Sequence, residues 1–263
     1  ALELIAADSR APGFARFLAC CRLLKFWTGM RFDDTLGVDP RGIVKGNGYV
    51  HMELSRTKTS GPDRRIRMMH AYIDDEAHFV VPNWMDILME LLGDPLGFGF
   101  ARDYLLPLPA AGWDAPRRVA ANASDAIALG RTLLEMLQRP ASVRSKRGEV
   151  AWSLGPAKLL PPGGGDYWTE HSERHGIVSF AAALKVSHEE QSYIGRWTER
   201  SSSGSSASGY IQTAASIVTG IQKKLVHSLG TIWTWYSEED LEMRLHEVAS
   251  IKGLDTSLTD KVL

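Results

Sequence analysis

The chain has 263 residues, 44% of them hydrophobic and 23% charged, with a formal net charge of -1. That length and composition are those of a globular domain with a substantial core. No apolar run approaches the roughly 20 residues needed to span a bilayer, and no signal peptide is visible. The two cysteines, Cys20 and Cys21, are adjacent within an apolar helical pattern. They read as reduced packing residues, which suits an intracellular compartment, the nucleus in a eukaryotic host and the cytoplasm otherwise. The chain opens at Ala1 on what reads as the tail of a helix, as expected of a clipped domain.

Charge is distributed unevenly. Residues 10 to 67 carry twelve Lys or Arg against five Asp or Glu, whereas residues 71 to 110 carry seven acids and only Arg102. A basic block on a near-neutral chain fits a localised anion-binding face.

In chain order, Pro12 opens a helix whose apolar positions Phe14, Phe17, Leu18, Cys21 and Leu24 recur at helical spacing until Gly29. A short helix follows with Arg31, Asp34 and Leu36. From Tyr49 the period changes to two: Val50, Met52 and Leu54 alternate with polar residues, as in a strand. Ser60-Gly61-Pro62-Asp63 reads as a turn into a second strand through Ile66 and Met68, and AHFVVP (77–82) as a third. Asn83 is placed to cap a helix bearing Trp84, Ile87, Leu88, Leu91 and Leu92. Leu105 to Pro116 reads as a Pro-rich connection, and Ser124 to Leu137 as a helix followed by a basic loop and the irregular PPGGGDYW. His171 to Leu184 reads as helical, and Ser187 with Glu190 has capping-box spacing. Ser201 to Gly209 is a low-complexity tether ahead of Tyr210. Helical stripes through Ile211–Leu225 and Leu241–Val248 close the chain. The fold class expected is α+β, mainly α-helical, with one small antiparallel β-sheet near the N-terminus.

Metal and phosphate-loop motifs are missing from the sequence: there is no CxxC, no HExxH, no GxSxG, and PPGGGD lacks the Lys-Ser/Thr ending of a P-loop. No cofactor or metal is therefore expected. What remains is a series of cationic groups in order. Arg31 stands just after a helix end, three residues before Asp34, whose carboxylate is placed to brace the guanidinium. Lys58 precedes a Gly-Pro turn that can project it. His171 and Arg174 are three apart, on one helical face. Trp197 follows a capped helix, and Tyr210 follows the tether.

In this order the residues resemble the catalytic domain of the tyrosine recombinases, the phage-integrase family. TGMRFDDTLGV (28–38) resembles the first box, RTKTSG (56–61) the hairpin with the catalytic lysine, and HSERHG (171–176) the His-x-x-Arg box. GRWT resembles the later His or Trp position, and GYIQ the segment with the nucleophile. Its serine-rich spacer is most similar to recombinases of eukaryotic mobile elements. The resemblance covers residues 12 to about 226.

It implies a site-specific recombinase or integrase acting on double-stranded DNA through a 3′-phosphotyrosyl intermediate, without metal or ATP. The implied catalytic residues are Arg31, Lys58, His171, Arg174, Trp197 and Tyr210, supported by Asp34 and His175. It also implies self-association on DNA. Residues 1–235 would form the catalytic domain, with 236–263 as a C-terminal helix for protomer contact. The N-terminal core-binding domain of the family is expected to be absent. Two other outcomes are open at this point: relaxation of DNA in the manner of a type IB topoisomerase, and a non-catalytic DNA-binding remnant of a mobile element. A spacer longer and more polar than usual, and a chain less basic than most DNA enzymes, are departures from the family pattern.

Overall fold

A computed structural model describes residues 1–46, 48–57, 61, 68–144, 150–170, 172–195, 207–231 and 250; for 143, 144, 207–213 and 229–231 it describes the backbone alone. The fold is mainly helical, with three small antiparallel sheets among the described residues.

Helix α2 (Gly13–Thr28) is the axis of the molecule. It carries apolar side chains on every face, which is the pattern of a helix surrounded by protein, and thirteen of its sixteen residues are buried. Helices α1 (Leu2–Ala7), α4 (Trp84–Gly93), α5 (Ala123–Met136) and α6 (Ser172–Ala183) all pack on it. Cys20 and Cys21 lie in this helix as free, buried thiols. Burial raises both thiol pKa values, that of Cys21 to about 12, so they act as packing residues and not as nucleophiles. Gly29 ends the helix with φ +60°, the left-handed cap that glycine adopts without Cβ strain.

Strands β1 (Val44–Gly46), β2 (Tyr49–Leu54) and β3 (Met69–Asp74) form an antiparallel sheet in the order β1-β2-β3. Val50, Met52 and Leu54 are buried, as the period of two requires. Helix α8 (Ala207–Thr231) packs on β3, where Lys223 lies 3.6 Å from the Asp74 carboxylate and a buried glutamine makes the deeper contact. The fully buried Gln222 donates from Nε2 to the carbonyls of Trp27 (2.8 Å) and Tyr72 (3.0 Å), while its Oε1 accepts from the Asp74 amide at 2.7 Å. One amide side chain thus joins α8, α2 and β3 with its polar atoms satisfied.

Several expectations change. The segment 77–82 is not a strand. The amides of Phe79, Val80 and Val81 donate to the buried carboxylate of Glu3 at 2.7–2.9 Å, so a side chain from α1 takes the place of a ladder partner. The strand expected through Ile66 and Met68 starts at Met69; Ile66 lies outside the described residues. Asn83 occupies the N-cap position of α4 without a capping side-chain bond. The 105–116 connection pairs as β4 (Pro107–Pro109) with β5 (Pro116–Ala120), and the basic loop is framed by β6 (Gln138–Arg144) and β7 (Val150–Lys158). One expected sheet has become three. Ser187 and Glu190 do form the capping box of α7 (His188–Gly195), with reciprocal bonds of 3.1 and 3.2 Å. The helix expected around Leu241–Val248 and the 235/236 boundary lie outside the described residues.

On the other face of β2 and β3, His51 Nε2 and His70 Nδ1 are 2.8 Å apart, with their rings stacked and Tyr72 stacked beside them. Burial, and secondarily His70, lowers the His51 pKa below its ordinary 6.5, against a weaker opposing effect of Glu53. The unfolded chain therefore takes up a proton here before the folded one does. Stability from this pair is complete above pH about 6.5 and declines as pH falls toward the folded value. Urea denaturation at pH 7.5 and pH 5.5 should show a loss at the lower pH that His51→Phe largely removes; an unchanged pH dependence in the variant would assign it elsewhere.

Candidate functional site

Arg31 follows the end of α2 and occupies the N-cap position of the one-turn helix α3 (Phe32–Thr35). Asp34 is buried, and its carboxylate accepts from the Arg31 backbone amide at 2.9 Å. The bond goes to the amide and not to the guanidinium, which corrects the expected ion pair. A free N-terminal amide of a helical turn is the stronger local claim on a carboxylate three residues away. The half-buried Arg31 guanidinium has no ion pair or hydrogen bond among the described residues.

Arg174, on α6, is 6% exposed. Its NH1 donates to the Gly29 carbonyl and its NH2 to the Gly195 carbonyl, both at 2.6 Å. The first acceptor is two residues before Arg31 in the chain, and the second is two residues before Trp197. A planar fork suits this task, since two donors on one rigid group fix two separate strands of backbone. The close approach at Gly29 is tight: a Cβ there would lie 3.3 Å from the Ile194 carbonyl oxygen.

A third segment meets the loop that follows α3. The Gly37 carbonyl accepts from Ser55 twice, from its amide at 3.0 Å and its hydroxyl at 2.7 Å. A Cβ on Gly37 would run into the backbone of Arg56, so only glycine lets the end of β2 seat here. The chain leading to Lys58 is thereby fastened to the loop six residues after Arg31. Lys58, His171 and Trp197 themselves lie outside the described residues. His175 is exposed on α6. Tyr210 lies in the first turn of α8, where its backbone alone is described. Residues 207–209 of the expected tether are therefore helical, and the tyrosine is carried on a helix that packs against α6, α7 and β3.

What the sequence reading missed is the footing of α6. Arg22 and Lys25 on α2 meet Glu170 and Glu173 in a buried four-charge cluster. Arg22 NH1 lies 2.7 Å from Glu173 Oε1 and 2.7 Å from Glu170 Oε1, and its NH2 donates to the Ala126 carbonyl at 2.7 Å. Lys25 Nζ contacts the Glu170 carboxylate and lies 3.5 Å from Glu173 Oε2. Burial alone would raise the Glu170 pKa, but the cations of Arg22 and Lys25 outweigh it and hold the carboxyl below its ordinary value. Burial alone would lower Arg22, and the two carboxylates outweigh it in turn. The signal was present in the sequence as cations three apart in an apolar helix and acids three apart around His171. Without the fold, nothing pairs two stretches separated by about 150 residues.

A cleft of about 610 Å³ contains neither Arg31 nor Arg174. It is lined by Arg41, Phe100, Arg102, Tyr104 and Arg118, and it neighbours α3 through the Leu105 amide, which donates to the Thr35 carbonyl at 2.8 Å. Arg102 is committed to the structure. Its guanidinium donates to the carbonyls of Phe98, Phe100, Tyr104 and Leu105 and lies 4.4 Å over the Phe100 ring. No cluster of three or more His, Cys, Asp or Glu able to hold a metal occurs among the described residues, and none of the described helices is long and apolar enough to cross a membrane.

No family model matches the chain, and no curated protein matches it. Among solved structures it is similar to the FLP Recombinase-Holliday Junction Complex I, at 14% identity and a TM-score of 0.44, over 78% of this chain and 44% of that one. It is also similar to a Flpe-Holliday Junction Complex, at 14% identity and a TM-score of 0.42, over 81% of this chain and 47% of that one. The chain thus spans less than half the length of these structures.

Glu173→Gln should destabilise the protein by about 3–5 kcal/mol in urea denaturation, because it leaves the buried cations of Arg22 and Lys25 facing the single carboxylate of Glu170. Replacing both members, Arg22→Met with Glu173→Leu, should cost much less than that. A double variant as unstable as the single one would show that shape, and not charge, holds α6 to α2.

Proposed function

We propose that this chain is the catalytic domain of a DNA breaking-and-rejoining enzyme of the tyrosine recombinase type. The observation that carries the reading is the Arg174 fork. Its two carbonyl bonds tie the segment leading to Arg31 to the segment leading to Trp197, on the helix that follows His171. The Ser55–Gly37 bonds hold the chain that precedes Lys58 to the loop after α3. The Arg174 fork, which joins Gly29 to Gly195, and the Ser55–Gly37 contact support this reading.

The chemistry that follows needs neither metal nor ATP. Arg31 and Arg174 offset the charge on the non-bridging oxygens of a scissile phosphate, a role for which guanidinium suits because it stays charged at any working pH. The Tyr210 oxygen attacks phosphorus while its proton passes to His171. The P–O5′ bond breaks, and the departing 5′ oxygen takes a proton from Lys58. Trp197 donates its indole N–H to a phosphate oxygen. The 3′-phosphotyrosyl ester stores the bond energy, and a 5′-hydroxyl from a second strand reverses the step. Asp34 serves by fixing the Arg31 backbone. His175 lines the approach, and DNA-bound copies associate with one another.

A second reading is favoured by one observation: two Arg174 donors go to carbonyls and the residue is buried, as in a guanidinium used for architecture. On that reading the chain is a non-catalytic DNA-binding remnant.

A nicked suicide duplex separates the two. The full chain should form a covalent adduct that survives denaturing electrophoresis, and Tyr210→Phe should abolish it while leaving duplex binding within about twofold. Arg31→Ala should lower adduct formation by two to three orders of magnitude, on the scale of losing one preorganised transition-state donor. Failure of the unaltered chain to form an adduct on any duplex, with binding retained, would establish the remnant. An adduct persisting in Tyr210→Phe would move the nucleophile to another tyrosine.

A further inference from the structure

We infer that the cleft lined by Arg41, Arg102, Tyr104 and Arg118 is an anion site, and that it holds a phosphate of the DNA strand beside Arg31. The anion site rests on the cleft itself, and its occupant rests on the functional reading above. Two buried arginines stand in contrast. Arg22 is 4% exposed and faces the carboxylates of Glu170 and Glu173, which raise its pKa against the effect of burial. Arg102 is 7% exposed and has no ion pair among the described residues. Its donors go to the carbonyls of Phe98, Phe100, Tyr104 and Leu105. Burial lowers its pKa, and the opposing effects of Cys21, Tyr104 and Asp39 do not make up the loss. A cation so placed is solvated by dipoles, and its charge is left to be matched from outside.

The cleft of about 610 Å³ opens onto that charge. Arg118, exposed on β5, holds its guanidinium 5.6 Å over the ring of Phe100. A guanidinium stacked by its face keeps its N–H edge for an acceptor, and the edge of Arg118 meets none among the described residues. Arg41 gives Nε and NH2 to Asp39, at 3.0 and 2.6 Å, which leaves NH1. Burial raises the Tyr104 pKa, so its hydroxyl stays protonated as a further donor. The one carboxylate in the lining, Asp103, is taken by Arg56 at 2.8 Å. Three guanidinium groups thus line a cleft whose one acid already has a counter-ion. Phosphate, with acceptor oxygens pointing in several directions, suits forks that approach from more than one wall.

The cleft adjoins the candidate site through α3. Arg31 occupies the N-cap of that turn, and Thr35 is its last residue. The Thr35 carbonyl accepts from the amide of Leu105, the neighbour of Tyr104, at 2.8 Å. Four residues of helix rise roughly 6 Å, a span over which one nucleic-acid strand meets both ends of α3. Arg56, which holds Asp103, stands two residues before Lys58. A phosphate in the cleft fixes the strand to one side of the scissile position, so the contact adds affinity and register and takes no part in the chemistry.

The test uses the full chain and a 40-base-pair duplex titrated by fluorescence anisotropy over a series of salt concentrations. Arg41→Gln with Arg118→Gln alters two exposed side chains and should weaken binding about tenfold, with the slope of log affinity against log salt shallower by about one. The control Arg10→Gln with Arg117→Gln, equal in charge and outside the cleft, should stay within about twofold of the unaltered chain. Equal losses in the two pairs would show diffuse charge and overturn the cleft assignment. Independently, Ala101→Cys on the exposed cleft wall, carrying a photo-crosslinker, should couple to the duplex. Unchanged affinity and salt slope with no crosslink, in a chain that binds duplex, overturns the inference and leaves the functional reading standing. Inorganic phosphate is titrated in parallel by calorimetry. Phosphate binding that the Arg41→Gln, Arg118→Gln variant loses, with its duplex affinity unchanged, assigns the cleft to free phosphate and overturns the DNA strand as occupant. Absence of duplex binding by the unaltered chain overturns the functional reading and the occupant together.

Discussion

Four charges withdrawn from water set the position of everything at the candidate site. Arg22 and Lys25 face Glu170 and Glu173 across the α2–α6 interface, and each ion is affordable there only because its counter-ions are within contact. Such an arrangement tolerates little sliding, since a shift of one helical turn would leave isolated charges in an apolar medium. The register of α6 on α2 follows from that intolerance. With it follows the place of Arg174, one residue beyond Glu173. Gly130 belongs to the same constraint: a Cβ there would occupy the space of the Arg22 guanidinium.

From that footing the molecule distributes constraints by hydrogen bonds to backbone. Arg174 holds the ends of α2 and α7, Gln222 holds α8 to α2 and β3, Ser55 holds the end of β2 to Gly37, and Glu3 holds the 79–81 loop. In each case one side chain satisfies polar groups that would otherwise be buried without partners. The candidate site is thus a meeting of chain ends and loops, which agrees with the tendency of chemistry to sit on irregular backbone held by a rigid scaffold. The helical setting of Tyr210 alters the expectation of a tyrosine that follows a flexible tether through residue 209. The backbone of a residue in the first turn of a 25-residue helix moves with that helix.

Much of this was legible in the sequence. Period 3.6 located α2 and α4, period two located β2, the Ser187–Glu190 box announced α7, and helices were expected over 124–137 and 171–184, where α5 and α6 lie. These signals are local: they reflect which side chains share a face within a few residues, and the core repeats the same requirement. The order of Arg31, Lys58, His171, Arg174, Trp197 and Tyr210 was likewise readable along the chain. The misplaced third strand shows where locality fails. AHFVVP has strand-like residues, but its amides are taken by a glutamate 76 residues away. The β4–β5 pair was invisible because its proline-rich strands lack alternation, whereas Val150, Trp152 and Leu154 of β7 do alternate with Ala151 and Ser153, a signal that the sequence reading left unused.

The sequence by itself therefore determined the helical elements and the uneven distribution of charge, since these depend on neighbours in the chain. Tertiary structure alone decided that Asp34 binds an amide and not a guanidinium, that Arg174 bridges Gly29 and Gly195, and that Arg22 meets Glu173 across 151 positions. Those choices turn on burial. A charged or polar group in water has many equivalent partners, and only when the fold excludes water does one geometry become much lower in free energy than the rest.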